Sequence, residues 1–341
     1  MGIKQRILIS NWTVELFTLA FIVAFVILFK LGDAYNTSII KKFLKGVSAT
    51  FEKHFFQFGV SPDTLYVKDS AENFSSYATG RIHIAKVNIT FKLKPRHNIF
   101  VWAMELVLGY FTDSVKVPTD VVDFEITPSH EAKYDNFIAA IASKLEMDDL
   151  RKSNYFLSLT KTSDSANLPE SFVYMSEVNA FQEGITTVDL KNALTVDAAS
   201  YVRFIAFTDQ PAERPTSLQE LVPRRKIIIS TNLTTNKNNL KQLSQILEAV
   251  FNLIDKLASK DITFKQDALK KVVRTRELEV AKIQKVIDEM KQEELAEEKS
   301  KQKKLEREKL KSLSPEEQAK LEKKAMEKSR KKQQKKQRVK M

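Results

Sequence analysis

From Leu16 to Phe29 the chain runs LFTLAFIVAFVILF without a charge. Fourteen residues rise only about 21 Å at 1.5 Å each, so crossing the roughly 30 Å hydrocarbon core takes Trp12 to Leu31. Trp12 then suits the interfacial aromatic belt. Glu15 falls one turn inside, where it either reaches the headgroups or faces a partner helix, since charges within spans usually face protein. A cleaved signal peptide is the competing reading, with Lys4 and Arg6 as its basic region and Gly32-Asp33-Ala34 as its small-residue site. Lys30 sits awkwardly between that apolar run and that site, which favours a retained anchor. Two basic residues before the span (Lys4, Arg6) against four after it (Lys30, Lys41, Lys42, Lys45) put the bulk of the chain in the cytosol. On that topology the sequons at Asn36, Asn73, Asn88 and Asn232 stay bare.

After the anchor, Ile39, Ile40, Phe43, Leu44, Val47, Phe51 and Phe55 recur at helical spacing, predicting an amphipathic helix over Asn36 to Phe58. Strands are expected at Leu65 to Lys68, Arg81 to Lys94, Val121 to Ile126, Tyr201 to Phe207 and Arg225 to Thr231. Helices are expected at Asn98 to Phe111, Glu131 to Leu145, Pro169 to Phe181, Val188 to Leu194 and Asn239 to Leu257. This irregular mixture, without a βαβ repeat, reads as α+β with helices on an antiparallel or mixed sheet. Ile99 to Phe111 (IFVWAMELVLGYF) is too short to span and is read as a core helix, with a membrane-lying helix as the alternative. The basic groups Lys92, Lys94, Arg96 and Arg224, Arg225, Lys226 are read as solvated strand ends.

From Gln266 the pattern changes to sparse apolar positions in charged sequence. Val273, Val280, Ile283, Ile287 and Met290 follow 3,4 spacing, with Arg276 in the missing place, giving two to three heptads of a coiled-coil seam. The stretch continues with Glu/Lys pairs three and four apart, which support a solvated helix. Ser314-Pro315-Glu316-Glu317 restarts a second helix with Ser as N-cap and Pro at the first helical position.

Charge sharpens this picture. The net charge is +12, yet residues 1–298 hold 37 Lys/Arg and 37 Asp/Glu, whereas residues 299–341 hold 18 basic and 6 acidic residues. A neutral body carries a basic tail. Lys323, Lys324, Lys328, Arg330, Lys331, Lys332, Lys335, Lys336, Arg338 and Lys340 form a block suited to phosphate, on RNA or on anionic lipid. With no cysteine there is no disulfide framework and no thiolate nucleophile. Four His and seven Gly yield neither a glycine-built phosphate cradle nor an H-E-x-x-H helix, so neither a catalytic constellation, a metal site nor a cofactor is expected.

The chain therefore divides into an anchor (1–33), an α+β domain (34–262) and a charged arm with its basic tail (263–341). Its fold class is an α+β cytosolic domain with one N-terminal transmembrane helix and a C-terminal charged helical or coiled-coil arm. Local sequences add a likeness: Thr79-Gly80-Arg81 before the long strand, Leu168-Pro169-Glu170-Ser171 with Ser176-Glu177, Phe207-Thr208-Asp209-Gln210, and Lys331-Lys332-Gln333-Gln334-Lys335-Lys336 with Lys340-Met341 at the end. In this order the chain resembles the calumin family, the coiled-coil-domain-containing protein 47 family, from about residue 12 onward. The resemblance implies a single-pass endoplasmic reticulum membrane protein of the PAT complex, a non-enzymatic chaperone subunit of the multipass translocon. Its implied partners are a small Asterix-like membrane protein, the Sec61 translocon, the ribosome large subunit through RNA phosphates, and nascent multipass proteins. Animal members carry an acidic lumenal region before the span that has no counterpart in the eleven residues here, so calcium binding is not carried over. A membrane tether whose tail binds anionic lipid or RNA without a translocon role is the alternative.

Overall fold

The structure, a computed structural model, describes residues 12–61, 63–112 and 117–311. Two units divide the chain, Met1–Glu277 and Leu278–Met341.

The first helix, α1, runs unbroken from Thr13 to His54. The expected anchor and the expected amphipathic helix are thus one 42-residue element, and the boundary placed at residue 33 falls inside it. Its burial changes along its length. Buried positions begin at Asn36 and continue through Ile40, Phe43, Leu44, Val47 and Phe51, one face of a 3.6-residue period. The most apolar 18-residue window, in contrast, has no buried residue. Phe55, with extended backbone, ends the helix.

Among the described residues ten strands follow, all paired antiparallel. They are β1 (Gln57–Phe58), β2 (Val67–Lys68), β3 (Asn73–Thr79), β4 (Ile84–Lys92), β5 (Val121–Pro128), β6 (Ala139–Ser143), β7 (Lys161–Ser163), β8 (Phe172–Ser176), β9 (Val202–Thr208) and β10 (Lys226–Asn232). Their order across the sheet is β1-β3-β4-β5-β10-β9-β6-β8-β7, with β2 also on β3. Between them lie α2 (Ile99–Phe111), α3 (Met147–Ser153), α4 (Tyr155–Ser158), α5 (Ala180–Ile185) and α6 (Val188–Ala193), and then come α7 (Lys237–Ala258) and α8 (Gln266–Lys311).

One sheet face carries the larger core, where Phe51 stacks on Phe58 at 4.8 Å and meets Phe251 of α7 edge-on at 5.8 Å. Burying each such ring contributes about 1.5–3 kcal/mol. The other face is covered by Leu150, Phe156 and Leu157 of α3 and α4, packed on Ala140, Val173, Met175 and Phe204. Because both faces are covered, β6 and β8 are buried at every position. The helices expected over Glu131 to Leu145 and Pro169 to Phe181 are therefore corrected: each stretch holds an interior strand, and α5 begins only at Ala180.

Two further expectations change. α2 has no buried residue and is not a core helix. Arg96 and Arg225 are not solvated ends: Arg96 pairs with Asp120, while Arg225 donates to the Ala132 and Tyr134 carbonyls at 3.1 and 2.7 Å. In the second unit, helix α8 carries Lys282–Glu279 and Lys301–Glu297 pairs at 2.7 and 3.4 Å, the expected spacing of a solvated helix. Exposed pairs of this kind contribute only about 0.3–0.5 kcal/mol each.

Candidate membrane interface and arm joint

The surface of α1 before residue 32 is apolar and exposed, including Phe17, Leu19, Phe21 and Ile27. Trp12 immediately precedes it, and Glu15 stands exposed in its first turn, where the helix dipole favours a negative charge. Where the helix enters the body, its fixing is polar. Asn36 is wholly buried: its amide donates to the carbonyls of Ala71 and Lys94 at 3.1 and 3.2 Å, and its Oδ1 accepts from Arg96 at 3.0 Å. No space remains there for the glycan that the sequon at Asn36 would otherwise accept.

Arg96 grips Asp120 with both terminal nitrogens, at 2.9 and 2.5 Å, and its guanidinium lies 5.4 Å over Tyr35. Burial works against the Asp120 carboxylate, but the Arg96 bonds and the Lys94 N–H outweigh it and hold its pKa below the ordinary value. Gly32 makes this approach feasible, since a Cβ there would collide with the Arg96 carbonyl. Lys68 also pairs with Asp33.

α2 starts beside this root. His97 meets Phe29 edge-on at 5.1 Å, and Phe100 lies 6.1 Å from both Phe21 and Phe25. Asn98 caps the helix by accepting from the Val101 N–H.

At the far end of α1, Gly80 has φ +98°, a conformation that favours glycine, and a Cβ there would strike Phe56. This turn delivers Arg81 to Asp255 at 2.5 Å and to Nδ1 of His54 at 2.5 Å, joining the ends of α1 and α7. With Nδ1 accepting, the ring proton sits on Nε2, which lies 3.3 Å from Glu248.

The arm is seated by a buried charge cluster. Arg276 donates to Glu177 at 2.6 and 3.1 Å and to Asp209 at 3.1 and 2.6 Å. Glu177 in turn accepts from the Ile138 N–H. Burial pushes the Glu177 pKa above its usual value despite Arg276, and the Arg276 pKa rises because the two carboxylates outweigh its own burial. Val272 and Ala268 of the same helix are buried one and two turns earlier. Sequence spacing singled out Arg276 only as a gap in the seam. Its partners lie 99 and 67 residues away, and the available signal was that a cation on the inward face of a helix requires a buried anion.

Of the seam residues, Ile283 is buried and Ile287 half-buried, whereas Val273, Val280 and Met290 are exposed. The ten basic residues from Lys323 to Lys340 and the restart at Ser314 lie outside the described residues.

These features define a class of protein: a helix long and apolar enough to cross a membrane, fused without a break to an α+β body that carries a charged arm. The chain belongs to the family described as PAT complex subunit CCDC47, whose model matches residues 11–336. It is also similar to a UPF0674 endoplasmic reticulum membrane protein of Saccharomyces cerevisiae, 28% identical over 324 residues, covering 86% of this chain and 80% of that protein. A UPF0674 endoplasmic reticulum membrane protein of Schizosaccharomyces pombe is 28% identical over 238 residues, covering 68% of this chain and 64% of that one.

Proposed function

We propose that this protein is a non-enzymatic scaffold and chaperone subunit of the endoplasmic reticulum membrane, which binds translating ribosomes at the Sec61 translocon and helps multipass proteins insert and fold. Family membership and the relatives' residence in that membrane support this reading. The observation that carries it is the division of charge, a neutral body on an apolar span with the whole imbalance in the last 43 residues. In this reading the body and arm are cytosolic, on the strength of the flank charges. The span meets a small Asterix-like membrane protein, with Trp12 and Glu15 at that contact, because helices in lipid associate through packing and hydrogen bonds. Val273, Val280 and Met290 serve as an exposed strip for a coil partner.

The basic arm holds ribosomal RNA by phosphate contacts and reads little sequence. Deleting residues 318–341 removes eleven basic and two acidic residues, a net charge of +9. If about five of those cations meet phosphates, log affinity falls with log salt with a slope of roughly 3.5–4.5. The test is co-sedimentation of the full and truncated proteins with ribosomes between about 50 and 200 mM salt. Truncation is expected to weaken binding most at low salt. Equal sedimentation of the two proteins refutes the role of the tail, and binding to anionic vesicles without ribosomes supports the tether instead.

A further inference from the structure

We infer that α2 is a second membrane element, a helix that enters the bilayer from the body side without crossing it, and that lipid hydrocarbon covers its exposed face. The inference rests on α1 spanning the bilayer over Trp12 to Leu31. Given that, depth follows from geometry. Phe25 and Phe21 lie six and ten residues before Leu31, about 9 and 15 Å below the body-side edge of the core. The Phe100 ring is 6.1 Å from each of them and shares their depth. His97 sits at Phe29, nearer the edge, so α2 heads inward as it leaves the body. Its 13 residues rise about 20 Å, short of the roughly 30 Å needed to cross.

Side chains agree with a lipid occupant. Met104, Leu106, Val107, Leu108, Tyr110 and Phe111 are all 40% exposed or more. Such a contiguous apolar surface on a water-facing helix would be an aggregation liability. The one acidic residue of α2, Glu105, is turned inward, with Oε2 buried and without a hydrogen-bond partner. The surface is continuous with the unburied apolar face of α1, so one hydrocarbon phase covers both.

The chain has no cysteine, which permits single probes in the full-length protein. Leu19→Cys reports the span, Val107→Cys and Met104→Cys report α2, and Val188→Cys, on an exposed position of the body, is the aqueous reference. The protein is reconstituted in phosphatidylcholine vesicles and treated with N-ethylmaleimide, which crosses membranes and attacks the thiolate that water supports and hydrocarbon suppresses. Positions 107 and 104 are expected to react at least tenfold more slowly than position 188, like position 19, and to recover in detergent. Trp12→Phe leaves Trp102 as the sole tryptophan, and lipids brominated on their acyl chains should quench it. Reaction of both α2 probes at the rate of position 188 with position 19 protected overturns the inference while the span stands. Reaction at position 19 overturns the span itself. Protection in native microsomes that is lost in vesicles of the chain alone would assign α2 to a protein partner and overturn the lipid assignment.

Discussion

Replacing Arg276 with alanine should unseat the root of the arm while leaving the body folded. Glu177 and Asp209 have side chains only 4% and 1% exposed, and Arg276 supplies four hydrogen bonds to them. Removing one member of a buried ion cluster leaves uncompensated charge and costs about 3–5 kcal/mol. What remains to hold the root is Val272, Ala268 and the half-buried Leu269, about 1.5–3 kcal/mol for the valine and less for each of the other two. Loss of the ionic term raises the open fraction of the root by roughly two to four decades. Hydrogen exchange of the full protein in mild detergent reads this directly. Amides from Ala268 to Glu277 should lose at least about a hundredfold of protection, while those of Leu243 to Leu257 in α7 change little. Arg276→Met combined with Glu177→Gln and Asp209→Asn should restore most of it, since the cost lies in unpaired charge. The defect of the single variant should also be smaller at pH 5 than at pH 8, because the Glu177 pKa is already raised by burial and rises further without Arg276, so that the carboxyl takes up a proton. Unchanged exchange over Ala268 to Glu277 in Arg276→Ala would refute the reasoning.

Asp120→Asn should lower stability by roughly 1.5–3 kcal/mol, the usual worth of hydrogen bonds to a charged group. Since the folded Asp120 pKa lies below its ordinary 3.8, that difference from the intact protein is fully present above this value and closes as pH falls through the folded pKa. Thermal melts from pH 3 to 7 check it, and a gap that persists undiminished at pH 3 would count against the Arg96–Asp120 grip. His54 is held below its ordinary 6.5 by burial first and by Arg81 second, so the unfolded chain takes up the proton earlier than the folded one. Stability should decline as pH falls from 6.5 through the folded pKa, and His54→Gln should flatten that part of the curve in the same melts.

The half-buried strand β4 was legible because one face meets the core and the other meets water, so Val87, Ile89 and Phe91 alternate with polar neighbours. β6 and β8 were not, because residues buried on both faces leave the continuous runs AAIAS and FVYMS, and a short apolar run does not distinguish strand from helix. β3 escaped notice for the opposite reason: Ser75 and Ser76 at its centre supply no apolar rhythm. α2 was found as a helix but misplaced, since apolarity says that a segment avoids water without saying whether protein or lipid replaces it. The long apolar helix was the easiest element, since its length and its uncharged run are local properties of the sequence. The Arg276 cluster was the hardest, for its three members lie in segments that only the finished fold brings together. Two of them, Glu177 and Asp209, sit within the short sequences that carried the family likeness, and Arg81 sits in a third. Those matches turn out to mark mechanical joints.

The unbroken passage of α1 from lipid into the core has a consequence for how the protein transmits motion. A flexible linker would let the body swivel freely above its anchor. Here the last exposed turns of the anchor and the first buried turn at Asn36 share one hydrogen-bond ladder, pinned sideways by Arg96, so the pair behaves as an axle keyed to its wheel. Each residue added or removed between Leu31 and Asn36 would rotate the anchor by about 100° and slide it about 1.5 Å relative to the body. The azimuth of the span in the plane of the bilayer is thereby fixed by the same residues that fold the domain. A neighbour that grips one part of α1 sets the heading of the other.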